Sequence, residues 1–337
     1  MVAGSTWRPC PCAPRGYSAA MLRLRLITPA DRTDEVVHLI DRTVGTSHLV
    51  VLPGVARDPE GGDVVTCHVA RESGDQLVKG LERLGIGRSG AITADTIDLS
   101  VSEHSEKAER ESPGEPADAV LWEELEEATS EESTLSITYV AFITIATMIA
   151  ACGVMQDNPI LIVGAMAVGP EFGPLAGIST AIVQRAPRLA LRSATALLVG
   201  FAAAIVVTVV FSRVMSAFGE FSEAGLEADR PNTGFVYAPD AVSFAVALLA
   251  GAAGTLSLTS AKSGTLIGVA ISVTTVPAAA NAAVALSFGQ AGQTVGAAEQ
   301  LLLNLSAIVL AGTLTLLAQK ALWATQRDRL TKPDNAG

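Results

Sequence analysis

The stretch VGAMAVGPEFGP, residues 163–174, places one carboxylic acid between two prolines inside an otherwise apolar sequence. The runs beside it, ILIV and LAGISTAIV, are typical of a buried or membrane-spanning helix. Pro170 and Pro174 predict that this helix is interrupted, because proline lacks the N–H that a helix interior needs and clashes with the carbonyl four residues back. An acid at membrane depth is costly, so Glu171 is a candidate for function.

Glu171 could bind a cation, relay a proton, or pair with a basic residue such as Arg192 or Lys262. A second interpretation stays open, in which the break is a short re-entrant turn that puts Glu171 at the aqueous edge. The glycines nearby, Gly164 and Gly173 among them, could simply allow close helix packing. That interpretation accounts for the glycines but not for the prolines or the acid.

A second interruption is predicted at Pro277, in IGVAISVTTVPAAANAAVALSF. Asn281 follows it, and Asn304 lies in the last apolar segment, where membrane asparagines commonly bond a neighbouring helix. Proline frees backbone polar groups, which in lipid must be buried in protein or line a wet cavity. The residues predicted to line a substrate or ion pathway are Gly164, Pro170, Glu171, Gly173, Pro174, Pro277, Asn281 and Asn304.

Six segments are apolar and long enough to cross a membrane, since roughly 20 residues span the hydrocarbon layer as a helix. They are 136–155, 159–183, 189–211, 241–260, 265–288 and 297–323. The second and the fifth are the interrupted ones, so the chain reads as two groups of three spans. An odd number of spans per group inverts the second copy, and inverted repeats with interrupted helices are typical of transporters with a site near the bilayer midplane.

Basic residues predict the orientation, because short cytoplasmic connections are enriched in lysine and arginine. The connections between spans two and three and between four and five, and the segment after span six, are basic, whereas the long loop 212–239 is acidic. Both termini are therefore expected in the cytoplasm, with the protein in the plasma membrane.

The N-terminal part has a different pattern from the spans. Residues 1–20 carry no apolar core of a secretory signal and are predicted to be a disordered tail. Residues 21–102 predict the order β-α-β-β-α-β of a ferredoxin-like cytoplasmic domain, with a second helix that begins at a Ser73 cap. An acidic linker with a juxtamembrane helix is expected at 103–134, the membrane domain at 135–323 and a cytoplasmic tail at 324–337.

Composition argues against several function classes. The net charge is −11 and no basic stripe is present, so nucleic acid is not an expected partner. The four cysteines do not form a disulfide framework, and a reducing, cytoplasm-facing domain fits their placement. No catalytic motif is found and the four histidines are scattered, so neither an enzyme, a metal site nor a cofactor is predicted.

The motifs VGAMAVGPEFGP and GVAISVTTVP, after a βαββαβ head and a polar QDNP turn, resemble those of the domain of unknown function 389 family of membrane proteins. The likeness covers residues 21–322. The matching positions are Gly164, Ala165, Met166, Pro170, Pro174, Gly268, Ala270 and Pro277. Glu171 stands where the family is usually apolar, and Ala278 replaces a second proline. The resemblance implies the fold and supplies no activity.

The interrupted repeat favours a transporter or channel-like protein for a small solute or ion, with the cytoplasmic domain as a regulatory or assembly module. The alternative is a membrane-anchored sensor or scaffold without transport, in which the N-terminal domain binds a small ligand. The expected partners are the lipid bilayer and further copies of the chain.

Overall fold

The structure is a computed structural model that describes residues 21–58, 60–97, 100, 102–112, 120–237, 240–259 and 275–331, without the side chains of 235 and 323–331. The chain forms two compact units that meet in sequence at Ala119 and Val120. The predicted N-terminal tail, the first half of the predicted fifth span, with Gly268 and Ala270, and residues 332–337 lie outside the described part.

The N-terminal unit is a small antiparallel sheet with helices. Its strands are β1 Met21–Thr28, β2 Thr46–Arg57, β3 Glu60–Ala70 and β4 Ala91–Ile97, in the spatial order β2-β3-β1-β4. All three strand pairs are antiparallel. Its helices are α1 Thr33–Arg42, α2 Arg71–Arg83, the short α3 Ile86–Ser89 and α4 Glu103–Glu111. This order of strands and long helices agrees with the one that the sequence predicts.

Strand β1 shows why the sheet has one buried face. Leu22, Leu24 and Leu26 alternate with Arg23 and Arg25, and because successive side chains of a strand point to opposite faces, the leucines are buried and the arginines are exposed. The predicted Ser73 cap is wrong: α2 begins two residues earlier, at Arg71, so the Ser73 side chain is buried within the first turn. The unit therefore has a core of large apolar side chains.

The second unit is helical. Its helices are α5 Trp122–Glu132, α6 Ile137–Met155, α7 Pro159–Val168, α8 Phe172–Gln184, α9 Pro187–Ala217, α10 Glu223–Glu227, α11 Ala241–Thr259, α12 Val276–Phe288 and α13 Ala291–Thr331. Among the described residues, four helices are long and apolar enough to cross a membrane, and a fifth crossing arises if the bent pair α7–α8 counts as one span. This is an integral membrane protein of four or five such spans in its described part.

The membrane helices reverse the usual distribution of apolar side chains. Large residues such as Leu198, Val206 and Leu302 are exposed, while the buried face of α12 consists mainly of alanine. Lipid tails are as apolar as leucine, so these helices gain most from close packing of small residues and from polar contacts between helices. The exposed surface of the unit thus suits hydrocarbon.

The connections between the helices of the second unit lie at its two opposite ends. At one end Asp157, between α6 and α7, accepts a hydrogen bond from Asn232 at 2.8 Å, and Gln290, between α12 and α13, donates to Glu223 at 2.6 Å. At the other end Lys320 of α13 donates to the carbonyl of Val183 at 3.4 Å. We call the first end the loop end, because the long connection 218–240 lies there.

Candidate functional site

The predicted interruption of the second span is present. Helices α7 and α8 are bent by 56° across Gly169–Glu171. Asn158 caps α7 by accepting a hydrogen bond from the N–H of Ile160 at 3.0 Å, with Pro159 at the first helical position. The break therefore separates two helices that each have their own start.

The prolines lie at helix starts, which changes the physical account of the break. Pro170 is inside the break, Pro174 is in the first turn of α8, and Pro277 is in the first turn of α12. The first N–H groups of a helix have no partner within it, so a proline there removes no helical hydrogen bond. The polar groups that each break leaves are the end carbonyls of one helix and the first N–H groups of the next.

Glu171 is the residue that joins the two interruptions. Its side chain is 1 % exposed, and its Oε1 accepts a hydrogen bond from Thr275 Oγ1 at 2.7 Å. Thr275 immediately precedes α12, so the break of the second span contacts the start of the described half of the fifth. Glu171 is thus buried rather than at an aqueous edge.

The basic partners suggested for Glu171 are placed elsewhere or lie outside the described residues. Arg192 donates to Ser130 Oγ at 3.1 Å and also bonds Thr134. Lys262 belongs to the part of the chain that the structure does not describe. The described hydrogen bond of the carboxylate is therefore the one from Thr275.

Asn281 lies one and a half turns further along α12, about 9 Å from Thr275 at a rise of about 1.5 Å per residue. Its Oδ1 accepts a hydrogen bond from Arg230 Nη1 at 2.9 Å. Arg230 comes from the connection between α9 and α11, yet only 4 % of it is exposed. Its Nη2 donates to Gln293 Oε1 at 2.9 Å, so the guanidinium joins this connection to α12 and α13.

Tyr237 and the Asp157 turn complete the surroundings of Arg230. The guanidinium carbon lies 4.7 Å from the centre of the Tyr237 ring. Burial lowers the pKa of Arg230 from its ordinary value, although a guanidinium remains charged in proteins. Asp157 is engaged with the next residues of the loop, accepting from Asn232 at 2.8 Å and from Thr233 Oγ1 at 2.8 Å. The loop is therefore held in place immediately after Arg230 as well as by Arg230 itself.

Asn304 lies on α13 and is fully buried. Its Oδ1 accepts a hydrogen bond from Gln300 Nε2 at 3.4 Å, one turn earlier on the same helix. The structure thus places Asn304 in a buried pair with Gln300, away from the exposed face of α13. Its predicted part in a pathway stays a prediction.

A pocket of about 450 Å³ opens on the other side of the break. It is lined by the end of α5, the start of α6 and the backbone of the break, with Tyr139, Pro170 and Gly173 among its walls. Glu171 turns away from it toward Thr275. The carboxylate therefore lies between this pocket and the polar side chains of Asn281 and Arg230.

The glycines have different surroundings. A Cβ on Gly173 would meet the Cβ of Glu132 at 2.4 Å, so this glycine lets α5 approach the break. A Cβ on Gly177 would meet Ser193 Oγ at 2.4 Å. Gly164 is exposed and a Cβ there would meet nothing within 4 Å, which places it apart from the other predicted pathway residues.

Three residues of the site escape prediction from sequence: Thr275, Arg230 and Gln293. Arg230 stands in a loop with more acids than bases and reads as a solvated charge. Threonine is abundant in the apolar segments, so nothing marks Thr275. Within the described ranges, no three His, Cys, Asp or Glu side chains are grouped so that they could hold a metal ion.

Residues 166–310 match the family model "Domain of unknown function (DUF389)". The chain is also similar to the uncharacterized protein MJ0678 of Methanocaldococcus jannaschii, with 28% identity over 200 residues. That match covers 59% of this chain and 60% of the relative, so it spans about three fifths of each. No solved structure matches.

Proposed function

The chain belongs to the DUF389 family, and from that premise we propose that it moves a small solute or ion across a membrane. The family carries no established activity, so the proposal depends on the site. Its main support is the hydrogen bond between Thr275 and the buried Glu171, which joins two interruptions 104 residues apart. An ionisable group inside a membrane domain is costly to keep there without a function.

The polar groups form a row across part of the membrane unit. The pocket at the break, Glu171 with Thr275, and Asn281 with Arg230 follow one another toward the loop end. Broken helices at membrane depth are tolerated where they are buried in protein or line a cavity. A pathway through the break would use Glu171 as its central charged group, either as a cation site or as a proton relay.

The same proposal includes the fold class of the N-terminal unit, the repeat architecture of the membrane unit and the location of the protein. We assign the N-terminal unit to the ferredoxin-like class, which the strand order β2-β3-β1-β4 supports. We assign α6–α9 and α11–α13 to inverted repeats, with the fifth span, of which α12 is the described half, completed by residues outside the described part. Half-helices with a proline in the first turn, one in each group, support this. The plasma membrane, with both termini in the cytoplasm, remains the proposed location.

Flux into liposomes tests the transport proposal. We expect purified full-length protein to carry a flux of ions or small solutes that Glu171→Gln lowers at least tenfold and Pro277→Ala changes. Glu220→Gln is the matched control, since Glu220 is an exposed acid of the loop and should leave the flux unchanged. A folded wild-type protein without flux above empty liposomes across a broad panel would contradict the proposal.

The second candidate is a membrane-anchored scaffold that assembles through the N-terminal unit. It is favoured by β2, an edge strand on which Val50, Leu52 and Val55 are exposed. Exposed apolar edge strands invite pairing with another strand. Light scattering of the purified chain decides: oligomers that Leu52→Lys dissociates, together with an absence of flux, favour this candidate over transport.

A further inference from the structure

Resting on the proposed function, we infer that Arg230 and Asn281 form a binding site for a small anion, and that such an anion is the transported substrate or a co-substrate. The inference starts from the charge of Arg230. Its described side-chain hydrogen bonds go to neutral groups, namely the amide oxygens of Asn281 and Gln293 and the side chain of Tyr237. Neutral acceptors do not cancel the charge of a guanidinium.

A buried charge is tolerated when it is paired, because the cost of its desolvation is several kcal/mol. Within the described residues Arg230 forms no ion pair, although it is 4 % exposed. Asp157 attracts the guanidinium through space but forms no ion pair with it among the described residues, and the hydrogen bonds of Asp157 come from Asn232 and Thr233. Within the described residues the guanidinium therefore has no anionic group in direct contact, and a small anion would take that place.

Two buried donors point to the same conclusion. Arg230 Nε and Asn281 Nδ2 have no hydrogen-bond partner, and both side chains are more than nine-tenths buried. Leaving a buried donor unpaired costs about 1–3 kcal/mol. The two side chains are already in contact at 2.9 Å, so both donors lie in one neighbourhood.

The surroundings favour a small ligand. The Tyr237 ring covers one face of the guanidinium, and Asn281 and Gln293 each accept from one N–H of its Nη atoms. The Nε edge is where a donor has no partner among the described residues, so this edge is where a ligand would bind. Arg230 also belongs to the connection at the loop end, which faces the solution on that side of the membrane unit. The chemistry of the site thus suits a halide or a small carboxylate or nitrate-like anion.

Thermal unfolding of the purified full-length protein in detergent tests the site without transport. Sodium chloride, formate or nitrate replaces sodium gluconate at constant ionic strength, with the bulky gluconate as the reference anion. We expect a saturable rise in Tm for the wild type and for Arg213→Gln, which changes an exposed arginine of α9. Arg230→Gln should abolish it.

Asn281→Asp keeps the test decisive if Arg230→Gln fails to fold. An aspartate at 281 would give Arg230 an internal counter-charge, so this variant should start with a higher Tm and lose the anion response. A wild type without a saturable response, or an unchanged response in either variant, would overturn the inference.

Flux measurements separate this inference from the proposed function. Anion binding that depends on Arg230, in a protein that carries no flux, would leave the site standing and remove transport. A flux that depends on Glu171 and is unaffected by Arg230→Gln and Asn281→Asp would leave transport standing and remove the anion as its substrate or co-substrate.

Discussion

The two units of this chain differ in where their large apolar side chains lie. In the N-terminal sheet, Leu24 and Leu26 are fully buried and Arg23 is exposed. In the membrane unit, Ala278, Ala279 and Ala280 are fully buried beside larger residues such as Leu175, while many other leucines and valines are exposed. Burial of large apolar groups stabilises the first unit because it removes them from water. In lipid that gain is absent, and close approach and polar contacts stabilise the second.

The largest expected difference concerns leucine. Leu24→Ala should destabilise the N-terminal unit by about 2–5 kcal/mol, because it removes a fully buried side chain and leaves a cavity. Leu198→Ala, on the exposed face of α9, should cost well under about 1 kcal/mol, since lipid replaces the lost contacts. Hydrogen exchange of peptides from β1 and α9 in the full chain measures both. If Leu24→Ala and Leu198→Ala caused equal losses of protection from hydrogen exchange, the proposed difference between the two units would be wrong.

The thiol of Cys67 reports how tightly the sheet core excludes water. Burial raises its pKa to about 12. Against the ordinary value of 9.0, the thiolate fraction, and with it the alkylation rate, should be on the order of 1,000-fold lower. Site-resolved mass spectrometry after iodoacetamide treatment checks this, with Thr93→Cys on the exposed face of β4 as the fast-reacting control. Labelling of both cysteines at similar rates in the native protein would contradict a closed core.

Glycine distinguishes packed from lipid-facing positions in the membrane unit. Gly177→Leu should destabilise it by about 1–3 kcal/mol, because the new side chain would collide with the bonded pair Ser133 and Ser193. Gly164→Leu is the control, since nothing lies within 4 Å of its Cβ position. Unfolding in SDS followed by circular dichroism measures both. If Gly164→Leu is the more harmful change, the assignment of the two faces is wrong.

The smallest expected effect concerns Asp157, at the loop end. Burial alone would raise its pKa, but hydrogen bonds from Thr233 and Asn232 outweigh this and hold the pKa below its ordinary value. A lowered pKa means that its contribution to stability is full above the unfolded-state value of about 3.8 and is lost as the pH falls through the folded value.

Asp157→Asn lacks this contribution to stability at every pH. The wild type should therefore be the more stable protein above about pH 4 and should lose that advantage as the pH falls below it. Thermal unfolding of both proteins between pH 3 and 6 measures the difference, which should narrow as the pH falls. If the difference in Tm between the wild type and Asp157→Asn widens as the pH falls, the pKa of Asp157 is not lowered in the folded protein.

The local features of this fold could be predicted from the sequence, because they depend on neighbours along the chain. The alternation in β1 predicts its buried face, and Pro170 with Glu171 predicts a break where one occurs. The acidic helix before the first span is also present, as Trp122–Glu132.

The contacts that make the site could not be predicted, because they join distant segments. Thr275 resembles many threonines in apolar segments, and its role depends on the 104-residue separation that folding closes. Arg230 looks like a solvated loop charge until the loop is seen to fold onto α12. Of the residues in these contacts, Glu171 and Asn281 carried a signal in the sequence, since both are polar residues in apolar segments.

Helix α13 has 41 residues, about 60 Å at a rise of about 1.5 Å per residue. A bilayer with its headgroups is about 40–45 Å thick, so about three or four turns of a helix that crosses it along the normal extend into water. Lys320, hydrogen-bonded to the carbonyl of Val183, lies near that boundary. If α13 moved along its axis toward the centre of the bilayer, the ammonium of Lys320 would enter hydrocarbon. The cost of that movement holds the helical bundle at its depth in the membrane.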